Sequence, residues 1–150
     1  MKQRVIQSFR DLLVYQKARQ LAKEIFVLTK TFPKEEMYAL TDQIRRSSRS
    51  IGAQIAEAWA KRRYEKHFLS KLTDANGEQQ ETQHWIDTAF DCGYWDTATT
   101  QRLRQQCEEI GRLLGGMIAK ADTFLDPPPP SLRESPIDYL IDPDSSPEDE

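Results

Sequence analysis

The chain has 150 residues, enough for one domain with a substantial core and too few for two comfortable ones. With 38% apolar residues, 30% charged residues and only 6 Gly, its composition suits a charged-surface helical protein better than a sheet-rich one. Cys92 and Cys107 alone build neither a disulfide framework nor a zinc site, and no stretch approaches the roughly 18 to 20 apolar residues of a membrane span.

The N-terminus, Met1-Lys2-Gln3-Arg4, leads into no apolar run typical of a secretory signal, so the expectation is a soluble, cytoplasmic chain. Helical periodicity begins with Val14, Ala18, Leu21, Ile25 and Leu28, spaced alternately by four and three. This first helix should stop at Thr31-Phe32-Pro33, because the residue before a proline is pushed out of the α region. It also carries Leu12, Leu13, Tyr15, Ala22, Phe26 and Val27 around from that stripe. So wide an apolar face predicts a second burial by self-association, with Leu12, Leu13, Tyr15 and Phe26 at the interface; a thicker monomeric core is the alternative.

A second helix is expected to open directly after Pro33, where Lys34-Glu35-Glu36 places acids in a first turn, and to bury Leu40, Ile44, Ser47, Ile51, Ile55 and Ala58. The third carries Phe68, Leu72, Ala75, Gln79, Thr82, Ile86 and Ala89 and should close around Cys92-Gly93. Trp59 to Lys66 holds neither Gly nor Pro, so one bent helix in place of two is also open. Asp96 or Thr97 caps the fourth, whose stripe is Leu103, Cys107, Ile110, Leu114, Met117, Ala121 and Phe124. Alternating steps of three and four belong to helices packed at shallow angles, and four such helices with short connections make an all-α, up-down-up-down bundle over residues 1–125.

Asp126 and Pro127-Pro128-Pro129-Pro130 end this pattern and open a Pro-rich acidic tail, 126–150. Its composition is that of a disordered segment, interrupted by Ile137, Tyr139, Leu140 and Ile141, a candidate docking motif. The tail holds eight acids against Arg133, so the overall charge of −3 divides into −7 for the tail and +4 for the body. A mildly basic body is compatible with an anionic partner.

Catalytic and metal motifs are weak. Gly115-Gly116 lies inside the fourth helix without phosphate-loop spacing and reads as a close helix–helix approach or a slight bend. Neither His67 nor His84 is placed near a cysteine in sequence. Glu81-Thr82-Gln83-His84 has the spacing of a carboxylate-bridged di-iron ligand pair, but His67 follows Tyr64 at that offset, so the second pair is missing. No cofactor or metal is expected. The strongest constellation is basic: Arg45, Arg46 and Arg49 in the second helix, then Lys61, Arg62, Arg63 and Lys66. Arg45 and Arg49 are i, i+4 neighbours with the small Ser48 beside them, an opening suited to bidentate contact with phosphate oxygens. The competing reading pairs these arginines with carboxylates, across subunits or with the acidic tail.

Leu13-Val14-Tyr15-Gln16-Lys17-Ala18, Thr29, Phe32-Pro33, Glu36, Tyr38, Leu40, Gln43-Ile44-Arg45-Arg46-Ser47, Ser50-Ile51 and Ile55-Ala56-Glu57 form an ordered string, continued more weakly by Phe68-Leu69 and Glu81. Over roughly residues 9–120 the chain resembles the four-helix-bundle family of 23S rRNA intervening-sequence (S23-like) proteins and accessory variability determinant (Avd) proteins of diversity-generating retroelements. The resemblance implies a non-enzymatic homopentameric ring whose retroelement members bind a reverse transcriptase and its RNA template. It places Arg45, Arg46 and Arg49 on the family's arginine-bearing stretch. The chain departs from the family's Ala-Glu-Gly at Ala56-Glu57-Ala58, and its acidic tail lies outside the common pattern. The expected function is a scaffold binding RNA or DNA, a reverse-transcriptase-type partner, or both. A protein-only adaptor whose tail recruits or autoinhibits a partner is the alternative.

Overall fold

The computed structural model describes residues 5–126, which form four α-helices and no strand. They are α1 (Leu13–Leu28), α2 (Asp42–Ala60), α3 (Glu65–Asp91) and α4 (Thr97–Ala119). Each packs on its neighbours in sequence, and α4 closes on α1. Every neighbouring pair is antiparallel: Lys17 meets Glu109 and Glu24 meets Arg102, Ser47 meets Thr82 and Glu57 meets Lys71. The result is the up-down-up-down bundle that the periodicity predicts.

The core is built from the expected stripes. Leu21, Ile25, Ile44, Ile51, Ile55, Phe68, Leu72, Ile86, Leu103, Ile110 and Leu114 are fully buried. One polar pair crosses this interior, with Ser47 Oγ 2.9 Å from Thr82 Oγ1. Thr82 spends its hydroxyl proton on the Glu78 carbonyl at 2.8 Å, so Ser47 is the donor across α2 and α3.

The connections explain where the helices begin and end. Before α1, the Ser8 hydroxyl accepts from Arg10 N–H while Asp11 Oδ2 accepts from the Gln7 and Ser8 N–H groups. That turn directs Leu12, in extended conformation, into the core, where it is only 5% exposed. Leu12 therefore belongs to the protomer's interior and not to an exposed self-association surface.

Helix α2 does not open directly after Pro33. A 3-10 turn (Lys34–Glu36) and a π turn (Met37–Thr41) come first. The wider π turn accommodates an extra residue, so that adjacent Leu40 and Thr41 are both buried ahead of Ile44. Phe32 anchors this corner by packing on Tyr94 and Trp95 at ring separations of 5.2 and 5.1 Å. The Tyr94 hydroxyl donates to Glu36 at 2.6 Å, and that bond, more than burial, pushes the phenol up to about 12.

Between α2 and α3 the helix breaks without Gly or Pro, which settles two helices over one bent one. Arg62 Nε donates to the Trp59 carbonyl at 2.8 Å, and its guanidinium lies 3.6 Å from the Trp59 ring centroid, closing the last turn of α2. At the end of α3, Gly93 has φ 81°, Gly93 N–H donates to the Phe90 carbonyl and Tyr94 N–H to the Ala89 carbonyl, a Schellman closure. Asp96 Oδ1 then caps α4 by accepting from Thr99 N–H at 2.8 Å.

The α4 stripe outlasts its helix: Ala121 sits in a 3-10 turn and Phe124 follows it, 6.4 Å from the Phe68 ring. Gly115 and Gly116 are exposed with open space where side chains would stand, so no close helix approach within the protomer needs them. The close approach is at Gly111, where an added Cβ would lie 2.9 Å from Gln79 Nε2 on α3.

Candidate nucleic-acid interface

The seven basic residues that stand close together in sequence separate in space. Arg45 lies near the start of α2 and Lys61 just past its end, about 24 Å apart at ~1.5 Å rise per residue. Successive helical residues also point about 100° apart, so Arg45 and Arg46 face different neighbours.

Arg46 turns to α3. It lies 3.4 Å from Glu81 and donates to Gln43 at 3.1 Å. Arg62 is held by Trp59 and stands 3.8 Å from Asp126, whose N–H also donates to the Arg62 carbonyl. Lys61, Arg63 and Lys66 gather at that same end of the bundle, where Lys61 and Lys66 line a shallow hollow with His67, Ser70 and Lys71. Lys71 is already taken by Glu57 at 2.8 Å, a bond that raises the lysine pKa and lowers the carboxylate's.

Arg45 and Arg49 turn to α1. Arg45 Nε donates to Thr29 Oγ1 at 2.8 Å and its terminal nitrogen to the Phe26 carbonyl at 3.4 Å, tying α2 to the C-terminal end of α1. Three cations surround the Phe26 ring: Arg45 at 4.7 Å, Lys30 at 4.9 Å and Arg49 at 5.4 Å from its centroid.

Beside Phe26 runs a groove of about 660 Å³ between α1 and α2. Its floor is small-residue surface, Ala18, Ala22, Ser48, Gly52, Ala53 and Ala56, and Phe9, Tyr15 and Phe26 are its aromatic walls. Phe9 and Tyr15 pack edge to face at 4.8 Å. Arg19, Lys23 and Arg49 form the rim. Among the described residues, none of Arg19, Lys23, Lys30, Arg45 and Arg49 is ion-paired. The acid nearest in sequence on α1, Glu24, faces α4 instead. Burial pushes its carboxyl up, but the Gln106 hydrogen bond and the Arg102 guanidinium bring it net below the ordinary carboxylate range.

Arg19, Lys23 and Lys30 were not among the candidates from the sequence. A signal for them exists: Arg19-x-x-x-Lys23 is an i, i+4 pair on α1, Phe26-x-x-x-Lys30 has the same spacing from α1 into the 3-10 turn Thr29–Thr31, and Ser48, Gly52 and Ala56 repeat small residues every four on α2. Of the proposed self-association residues, Tyr15 and Phe26 line this groove half-buried, and Leu13 remains 53% exposed, as does Val27 at 53%. The tail motif Ile137, Tyr139, Leu140 and Ile141 lies outside the described residues.

Elsewhere, Glu81 accepts from Trp85 Nε1 at 3.0 Å besides meeting Arg46, while His84 is exposed. No group of three or more metal-ligating side chains converges among the described residues. Cys107 is buried, which pushes its thiol up to about 12, whereas Cys92 is exposed. No described helix is long and apolar enough to cross a membrane.

No curated protein matches the sequence. A solved structure described as a protein with unknown function from the S23 ribosomal protein family of Bacteroides thetaiotaomicron is 30% identical, covering 71% of this chain and 96% of that one with a TM-score of 0.65. The family described as 23S rRNA-intervening sequence protein matches residues 10–116, a span that takes in α1, α2, α3, most of α4 and every groove-lining residue except Phe9. The chain belongs to the 23S rRNA-intervening sequence protein family.

Proposed function

We propose that the protein is a non-enzymatic scaffold that binds RNA through the α1–α2 face and assembles as a homo-oligomeric ring, with a reverse-transcriptase-type protein as its further partner. The observation that carries the RNA reading is the convergence of Arg19, Lys23, Lys30, Arg45 and Arg49, unpaired with any described carboxylate, around one groove. Unpaired guanidinium groups offer phosphate oxygens the bidentate geometry that ion-paired Arg46 has partly committed to Glu81. The family's name ties its members to an intervening sequence of 23S rRNA.

Exposed Leu13 and Val27 support self-association. Fourteen residues apart, they fall on one stripe of α1, since two heptads return the helix to nearly the same direction. The pentamer remains the subunit number that the resemblance to S23-like and Avd proteins implies.

The test is RNA binding by fluorescence anisotropy over a salt series. Neutralising Arg19, Lys23 and Arg49 to Gln removes three phosphate contacts and should flatten the slope of log K against log salt by about 2 for a single strand. Arg46→Gln serves as control and should change it little. An unchanged slope in the triple variant removes the groove from RNA binding. For the assembly, a single 17.4 kDa species in light scattering at all concentrations overturns the ring.

A further inference from the structure

The α1–α2 groove combines two surfaces that a phosphate backbone does not match equally. Its rim is cationic (Arg19, Lys23, Arg49), but its floor and walls are apolar, from Ala18 and Gly52 to Tyr15 and Phe26. RNA phosphates satisfy the rim and leave the floor wet. A peptide that combines a short apolar run with acidic side chains on both sides covers both. The chain carries one: Ile137-Asp138-Tyr139-Leu140-Ile141-Asp142-Pro143-Asp144.

We infer that residues 137–144 of the same chain dock in the α1–α2 groove, with Tyr139 and its apolar neighbours on the floor and Asp138, Asp142 and Asp144 toward the rim, so that the tail occludes the groove against RNA. The occlusion rests on the RNA reading above; the docking does not.

Reach and charge support the assignment. The described chain ends at Asp126, held at Arg62 by the backbone bond of 3.2 Å and the ion pair of 3.8 Å. Arg62 is about 20 Å along α2 from Arg49 at ~1.5 Å per residue. Ten residues lie between Asp126 and Ile137, and the eleven steps span up to about 36 Å when extended at ~3.3 Å each. Residues 127–150 contain seven acids and one base, opposite in sign to the unpaired cations of the groove.

A second apolar hollow, of about 230 Å³, lies closer to the chain's exit. It is lined by Ile6, Leu13, Leu113, Met117 and Phe124 with Leu12 and Val14. No cation is among its lining residues, so it offers nothing to the three aspartates that flank the apolar island. Charge complementarity selects the α1–α2 groove.

The experiment uses the full chain carrying the photocrosslinker p-benzoylphenylalanine in place of Tyr139, irradiated without RNA and mapped by mass spectrometry. Crosslinks should fall on α1 residues 15–26 and α2 residues 48–56, and should be lost in Lys23→Glu/Arg49→Glu. Crosslinks to residues 6–13 or 113–124, or none above background, overturn the docking. A crosslink joining isotopically labelled to unlabelled chains assigns the groove to a neighbouring copy's tail and overturns docking within one chain.

The occlusion is read separately, with Tyr139→Ser/Leu140→Ser/Ile141→Ser in the full chain. A tether of this length gives an effective concentration on the order of 1 mM, so a segment with affinity near ~100 μM masks the groove about tenfold. The triple variant should accordingly bind single-stranded RNA about tenfold more tightly. If the crosslink maps to the groove and RNA affinity does not change, docking stands and the RNA reading of the groove fails.

Discussion

Arg45 and Arg49 are one helical turn apart and carry the same charge, yet their contacts assign them different work. Arg45 is half-buried and makes a 2.8 Å bond to Thr29 Oγ1, a longer one to the Phe26 carbonyl and a stack on Phe26. Hydrogen bonds from a charged donor contribute about 1.5–3 kcal/mol, the lower end applying where water competes. Adding about 0.5 kcal/mol for the cation–π contact puts Arg45→Met at roughly 2 kcal/mol of lost stability. In a bundle of this size, intermediate between the usual reference classes, that corresponds to a fall in Tm of about 6–10 °C. Arg49 is exposed and keeps only a 5.4 Å contact with Phe26, so Arg49→Met should lower Tm by no more than about 2 °C. The methionine retains the packing of the stem while removing the guanidinium. Thermal unfolding followed by circular dichroism separates the two, and anisotropy should show the reverse order, with Arg49→Met the more damaging to RNA binding. Thr29→Val combined with Arg45→Met should cost less than the two apart, by about 1 kcal/mol. Equal Tm losses for the two arginine variants would refute the division of labour.

Two glutamates should respond to pH with opposite signs. Glu24 sits below its ordinary pKa in the folded state, so its contribution is present above the unfolded value of about 4.3 and is lost as pH falls through the folded one. Glu24→Gln should therefore be less stable than the parent at pH 7 and converge with it in acid. Glu78 is pushed up by burial and by the Glu81 charge, and its Oε1 has no partner among the described residues. Glu78→Gln should raise Tm at pH 7, a gain that vanishes once acid protonates the parent; no gain at pH 7 would refute it. In the α2–α3 seam, Thr82→Val should cost about 1 kcal/mol in denaturant unfolding by leaving the Ser47 hydroxyl only its longer 3.4 Å bond to the Ile44 carbonyl, while adding Ser47→Ala should cost less than a simple sum. Thiol titration of the native protein should modify one cysteine, Cys92, and reach Cys107 only on unfolding; two fast-reacting thiols would contradict its burial.

The fold was legible because its information is periodic. Phe68, Leu72, Ala75, Gln79, Thr82, Ile86 and Ala89 recur at three and four, and all seven are buried. Caps with chemistry of their own, Asp96 and Gly93, marked their helix ends as well. What the pattern missed depends on single tertiary contacts. The α2 start is displaced by a π turn that serves Leu40 and Thr41 together. The α2–α3 break rests on Arg62 reaching back to Trp59, which no Gly or Pro announces. Leu12 reads as surplus apolar surface on a helical wheel that starts too early; as an extended residue before α1 it points inward.

The site was less legible because charge counted along the chain is not charge assembled in space. A window over 45–66 collects seven cations, but α2 sends Arg46 toward Glu81, Arg62 toward Trp59 and Asp126, and Arg45 and Arg49 toward α1. The groove acquires its field from Arg19, Lys23 and Lys30, which the same window leaves out, and keeps it because Glu24 is engaged across the bundle by Arg102 and Gln106. A single groove of this kind meets only a few phosphates, and sequence-independent contact of that extent gives dissociation constants of about 10⁻⁴–10⁻⁶ M at physiological salt. Copies arranged in the proposed ring supply what one groove lacks, since linked sites raise avidity by about 10²–10⁴ without any new contact. Under the proposed docking, the same arithmetic would make a weak tail sufficient for control: it would compete with each groove singly, at an effective concentration set by its own tether, while RNA would gain its advantage only when several grooves of the proposed ring are free at once.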